Sequence, residues 1–301
     1  MLQAADVWFG YDPAAPVLRG VSLAVPADGF VGILGPNGSG KTTLLRLLAG
    51  TRRPSRGRVT LDGVDLSRVP RAAVARRMAV VPQETHPAFE YTALEIVLMG
   101  RYPHLHAFEI EGPDDVAIAR QSLEATGTLA LQERLFSTLS GGEKQRVVIA
   151  AALAQLGTRE ASALQARERS GASREGRAER SEPGGVQGPP PSNNVLLLDE
   201  PTAALDLAYQ LEVAALLRDL QQRLPIAIVV STHDLNFAAS LCRTMVLLRE
   251  GEVVASGPVD DVITPARIRD LYGVDAEVER RPSTGRLVVV PVSRVGSRGG
   301  P

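Results

Sequence analysis

Eight successive residues, Gly35, Pro36, Asn37, Gly38, Ser39, Gly40, Lys41 and Thr42, fit the pattern G-x-x-x-x-G-K-[ST], and their types suit them to hold phosphate oxygens. Glycines let successive backbone N–H groups converge on an anion where any side chain would obstruct the approach. A helix that follows, here beginning near Thr43, adds the positive end of its dipole. The Lys41 ammonium can then reach the outer phosphates, and the Thr42 hydroxyl can be offered to Mg²⁺. A second pair of groups, Asp199 and Glu200, follows the aliphatic run Val195, Leu196, Leu197 and Leu198. Phosphoryl transfer to water needs charge neutralisation and one oriented water, so two adjacent carboxylates at a strand end can divide those tasks.

These groups act together only if the fold brings them side by side. Residues 30–34 are apolar throughout and 43–49 have a helical pattern, which supplies the strand, loop and helix that the phosphate-binding pattern needs. Strands at 195–198 and 226–230, separated by a helical stretch at 207–224, alternate as in a parallel α/β sheet. Residues 2–25 alternate in the manner of strands around a turn at Asp12, Pro13, Ala14, Ala15 and Pro16. Residues 57–61 and 78–81 read as a continuation, which predicts an antiparallel β subdomain beside the phosphate loop. From 84 to about 154 the character is helical, including 92–100 and 114–126, the latter begun by Gly112 and Pro113 and capped by Asp114 or Asp115. A hairpin over 245–254, turning at Glu250 and Gly251, precedes a short helix and one or two strands within 274–292.

Further motifs stand in a fixed order around these two. Leu139, Ser140, Gly141, Gly142 and Glu143, continuing into Lys144, Gln145 and Arg146, resemble the signature sequence of ABC-type ATPases. Pro201, Thr202, Ala203, Ala204, Leu205 and Asp206 are similar to that family's D-loop, Gln83 to its Q-loop glutamine, and His233 to its switch histidine. The resemblance runs along nearly the whole chain. It implies an α/β fold, a P-loop NTPase (ABC ATPase) core with an antiparallel β subdomain and a helical signature subdomain at about 84–155. The ATPase domain would span 1–274, with a C-terminal extension at 275–301. ATP and Mg²⁺ are the implied ligands. Glu200 would polarise the attacking water, His233 would contact the γ-phosphate, and Gln83 would sense Mg²⁺, which Thr42 and Asp199 would also hold. Tyr11 matches the aromatic that stacks on adenine, with Trp8 and Phe9 as rivals. Ser140, Gly141, Gly142 and Gln145 would meet ATP held by a second copy in a head-to-tail dimer, with Asp206 passing information between the two sites.

The stretch from Val97 to His104 and the tail from Pro282 to Pro291 are similar to the ATPases of bacterial importers for iron siderophores, haem and cobalamin. That resemblance implies membrane permease partners, a substrate-binding protein acting indirectly, and a peripheral place on the cytoplasmic face of the inner or plasma membrane, with no nucleic acid expected. The alternative is a soluble ABC ATPase acting on nucleic acid or ribosomes. Such proteins carry two cassettes or long coiled coils, whereas this chain has one P-loop and an insertion without heptads. A P-loop kinase would leave the signature unexplained.

With 301 residues, 44% of them hydrophobic, the chain can bury a full core as one large domain, and its net charge of −1 gives no general attraction to polyanions. One cysteine, Cys242, excludes an internal disulfide and, in an apolar helical run over 235–246, reads as an inert buried thiol. The N-terminus lacks a basic segment followed by an apolar one, and no apolar run approaches the roughly 18 residues of a membrane span. His104 and His106 lack a third ligand nearby, which argues against a metal site. The insertion at 157–194 is rich in Arg, Glu, Gly and Pro and cannot bury enough apolar surface to offset its ordering entropy. It is expected to be partly helical near 160–169 and disordered beyond. Excising 158–192 and joining the ends with a short linker should leave nucleotide affinity within a few fold in a titration, and loss of binding by a folded variant would make the segment part of the site.

Overall fold

Alternating burial builds the first sheet. Strands β1 (Leu2–Phe9) and β2 (Leu18–Val25) bury every second residue over much of their length, pair antiparallel, and are joined on the other edge of β1 by β4 (Arg56–Leu61) and the two-residue β5 (Val64–Asp65), in the order β2-β1-β4-β5. Between them in sequence lie β3 (Phe30–Leu34) and helix α1 (Lys41–Leu48). The computed structural model describes residues 1–12, 14–157, 194–203 and 205–295. Residues 158–193 of the insertion, with the expectation made for them, lie outside that set.

The second sheet has six strands in the order β10-β9-β3-β8-β7-β6. Strand β6 (Met78–Val81), after the short helix α2 (Arg71–Ala75), pairs parallel with β7 (Asn194–Asp199), which pairs parallel with β8 (Ile226–Thr232). β8 in turn flanks β3, and β3 flanks β9 (Thr244–Arg249), both in parallel; β10 (Glu252–Pro258) returns antiparallel through the turn at Glu250 and Gly251. The expectation for 78–81 is corrected here. The segment is an edge strand of the parallel sheet, not of the antiparallel one, and three of its four residues are buried, as suits a strand covered on both faces.

Side chains of the parallel strands alternate between two cores. Val31, Ile33, Val195, Leu197, Val229 and Val246 face α1 and the antiparallel sheet. Phe30, Leu34, Leu196, Leu198, Ile228 and Val230 face α3 (Ala93–Leu98), α4 (Pro113–Ala125), α5 (Gly141–Leu156) and α6 (Leu207–Arg223). Each fully buried aliphatic side chain contributes roughly 1.5–3 kcal/mol, so the two cores fix the sheet between helices and the smaller sheet. Gly112 is the N-cap of α4, and Asp115 accepts its N–H at 3.0 Å.

The C-terminal region continues this packing. Helix α7 (Leu235–Leu241) ends before Cys242, so the expected helical run over 235–246 is instead a helix followed by β9. Cys242 is buried, and burial pushes its thiol well above the usual range. Two short helices, α8 (Val259–Val262) and α9 (Pro265–Tyr272), lead to the hairpin of β11 (Val274–Arg280) and β12 (Leu287–Arg294), whose Ala276 and Val289 enter the same core as the helices.

Candidate nucleotide-binding and hydrolysis site

Strand register alone gathers most of the site. In a parallel sheet the carboxyl ends open on a common crevice. Here Leu34 lies beside Thr232, Ser231 beside Asp199, and Leu198 beside Val81. The loops leaving β3, β8, β7 and β6 therefore bring the P-loop, His233, the Asp199–Glu200 pair and Gln83 to one edge in that order.

The P-loop is shaped for an anion. Gly38 and Gly40 have φ of +79° and +102°, a region most residues with a Cβ avoid, and the space a Cβ of Gly38 would occupy is empty. Gly40 caps α1 without a side-chain hydrogen bond, and no acidic residue stands in the first turn, so the first N–H groups of the helix are left for a ligand. An open cleft of about 410 Å³ is lined by Asn37, Gly38, Gly40, Lys41, Thr42, Thr43, Val17, Gln83 and Glu200. Pro36 and Ser39 bound the loop on its other side, facing Asp270 and Leu271 of α9.

Charge is concentrated at Glu200. Lys41, only 5% exposed, donates to the carbonyls of Gly35 and Pro36 at 2.9 and 3.2 Å and lies 3.3 Å from Glu200 Oε1. The other oxygen of the same carboxylate is 3.1 Å from His233 Nδ1. Glu200 adopts φ +45°, uncommon outside glycine, and its N–H is fixed on the Ser231 carbonyl at 2.9 Å. Backbone strain of this kind is held in place by surrounding bonds. Ser231 also donates its hydroxyl to Asp199 Oδ1 at 2.5 Å, which orients that buried carboxylate. Its sequence signal was slight, a single hydroxyl ending an apolar strand, and only its register with Asp199 reveals the contact.

Thr42, Gln83 and Asp199 offer a hydroxyl, an amide and a carboxylate, hard oxygen donors of the kind Mg²⁺ takes. Thr42 and Gln83 line the cleft, and Asp199 directly precedes Glu200 in it. Tyr11 stands at the rim. Its hydroxyl accepts from Arg46 at 3.0 Å, its ring meets the edge of Phe9 at 5.1 Å and Arg52 lies over it, leaving the residue 56% exposed. Hydrogen bonding with Thr43, more than the opposing burial or the neighbouring Arg46, lowers its phenol from the usual value. Trp8 turns elsewhere, with its indole N–H on Asp6 and Arg56 stacked above it.

The signature residues gather away from this cleft. Ser140 is the N-cap of α5, accepting the Glu143 N–H, while Glu143 accepts the Ser140 N–H at 2.8 Å. Gly141 packs on Leu205, and a Cβ at Gly142 would lie 2.2 Å from the Tyr209 ring, so glycine here permits close packing. Asp206 caps α6 by accepting the Tyr209 N–H at 3.2 Å, which joins the signature and the D-loop in one patch. Gln145 buries its Nε2 without a partner among the described residues. His104 contacts the Gln155 carbonyl at 2.7 Å from a half-buried position that lowers its imidazole's proton affinity, whereas His106 is exposed.

Residues 18–157 match the sequence family described as ABC transporter. The chain is 38% identical to a hemin import ATP-binding protein of Gloeobacter violaceus over 92% of its own length and 89% of that protein. It is 35% identical to a cobalamin import ATP-binding protein of Halobacterium salinarum over 92% of this chain and 60% of that one. Among solved structures, an inward-facing transporter described as of metal-chelate type aligns over 97% of this chain and 96% of its own with a TM-score of 0.75 and 26% identity. A dimeric bacterial ABC transporter cassette aligns over 86% and 99% with a TM-score of 0.64 and 25% identity. Motif order, the cleft at the strand ends and these likenesses agree: the chain belongs to the ATP-binding subunits of ABC transporters and is an ATPase.

Proposed function

We propose that this chain powers an importer for a metal-chelate compound of the haem, siderophore or cobalamin class. The observation that carries the reading is the likeness over 92% of the chain to proteins named for hemin and cobalamin import. No observation favours an action on nucleic acid or ribosomes. Among the described residues no helix is long and apolar enough to cross a membrane, so the reading requires membrane permease subunits and places the chain against them on the cytoplasmic face. A substrate-binding protein would deliver the cargo. Reconstitution with its permease in lipid vesicles checks this: ATP-dependent uptake of hemin or cobalamin is expected, and ATP hydrolysis without uptake of any metal chelate would overturn it.

Hydrolysis in this reading is alignment at the strand ends. The P-loop amides and Lys41 hold the phosphates, which requires Lys41 to exchange its contacts with the loop carbonyls and Glu200 for phosphate oxygens. Mg²⁺, held by Thr42, Gln83 and Asp199, would neutralise charge on those oxygens. Glu200 then accepts a hydrogen bond from a water in line with the γ-phosphate, and His233 steadies the carboxylate from its other side. The patch of Ser140, Gly141 and Gly142 lies outside the cleft, which supports its use on ATP held by a second copy, with Asp206 at the same contact.

Tyr11→Ala is expected to raise KM for ATP and largely spare kcat, because stacking on adenine is the same in ground and transition states. Aromatic stacking on a base is worth on the order of 1–3 kcal/mol, so the rise should be roughly fivefold or more. Steady-state kinetics check it; an unchanged KM would move the adenine platform to another residue, Phe9 first.

A further inference from the structure

His233 lies between the last residue of β8 and Asp234, the N-cap of α7, and its side chain is 56% exposed. The turn is tied locally, since Asp234 accepts the Phe237 N–H at 2.9 Å and donates its own N–H to Thr232 Oγ1 at 3.0 Å. Its outer attachment is to the C-terminal hairpin. Asn236 Nδ2 donates to the Val289 carbonyl at 3.1 Å, and Asn236 Oδ1 accepts the Val289 N–H at 2.8 Å. Both backbone groups of one β12 residue are thus taken up by one side chain three residues beyond the histidine. Val289 is itself immobilised, being 3% exposed in the core and paired with Val278 of β11.

The hairpin is closed at its base, where Gly273, after Tyr272 at the end of α9, turns the chain into β11 and accepts the Val295 N–H at 2.8 Å.

We propose that the β11–β12 hairpin braces the hydrolysis site: Asn236, fastened to both backbone groups of Val289, is a positioning residue that keeps His233 within reach of Glu200. The brace rests on the reading of His233 and Glu200 as partners in hydrolysis. It gives the C-terminal segment a role in turnover that does not involve touching ATP. Displacing a catalytic group by about 1 Å can cost as much as 10²-fold, so loss of this fastening should be felt in kcat and not in nucleotide affinity.

The test uses the full chain with ATP and Mg²⁺, and compares Asn236→Ala, His233→Ala and the double variant. Asn236→Ala should lower kcat by about tenfold with KM for ATP within about twofold of the parent, yet add no further loss once His233 is gone. Asn236→Asp keeps the shape and an oxygen to accept the Val289 N–H but cannot donate to the Val289 carbonyl, and should lower kcat severalfold. Should Asn236→Ala fail to fold, Asn236→Asp decides alone. An equal fractional loss from Asn236→Ala in both backgrounds, or parental kcat in Asn236→Asp, overturns the brace while leaving His233 in its role. Parental kcat in His233→Ala overturns the role of His233 and the brace with it.

Discussion

Glu200→Gln is expected to bind ATP and fail to turn it over, with hydrolysis lowered by roughly 10²-fold or more, the range for a positioned base. The geometry says why so small a change should matter. Glu200 presents one oxygen to Lys41 at 3.3 Å and the other to His233 at 3.1 Å. Glutamine can serve Lys41 only by turning its carbonyl oxygen that way, because an ammonium donates and never accepts. Its NH₂ then faces His233, and neither group is left as an anion to polarise water. The backbone at φ +45° and the N–H bond to Ser231 involve no side-chain atom, so the fold should persist. ATP trapped in this way should prolong the closed dimer, visible by light scattering of the variant with ATP and Mg²⁺ beside the parent. Near-parental hydrolysis would refute the role of Glu200; lost hydrolysis without longer-lived dimers would count against the two-copy site alone.

Much of this site is legible in the chain because its parts are local. The P-loop glycines, the two carboxylates after an aliphatic run and the histidine after another each announce a strand end, and parallel strand ends share one edge by construction. What is not legible depends on pairing between distant segments. The four residues of β6 carry too short a pattern to separate a half-buried strand from a fully buried one, and its partner β7 arrives more than 100 residues later. Ser231 gains meaning only from its register with Asp199. Asn236 belongs to no motif, since an ordinary helical asparagine becomes informative only when Val289 is seen beside it. The helical run expected around Cys242 failed for a related reason: residues 235–246 are apolar enough for helix or strand, and packing of β9 against β3 decides between them.

Lys41→Ala is expected to weaken ATP binding by roughly 10- to 100-fold, since each hydrogen bond from a charged group contributes about 1.5–3 kcal/mol and Lys41 is the only cation lining the cleft among the described residues. A nearly buried ammonium cannot stand unpaired, and here it is satisfied by the carbonyls of Gly35 and Pro36 and by Glu200. Those contacts pre-place it, but they must be given up when phosphates arrive, so the same residue both stabilises the empty loop and competes with its ligand. Alanine removes both effects. The Glu200 carboxylate then loses its ammonium neighbour and sits beside the incoming phosphates uncompensated, which adds repulsion to the lost attraction. Lys41→Arg separates the terms: it restores charge, but its planar fork cannot fit the space between the loop carbonyls as an ammonium does, and binding should recover only in part. Equilibrium titration with a fluorescent ATP analogue, alongside thermal denaturation of each variant without nucleotide, reads binding apart from stability. Parental affinity in a folded Lys41→Ala protein would remove the lysine from the phosphate site and leave the P-loop amides as its chief holders.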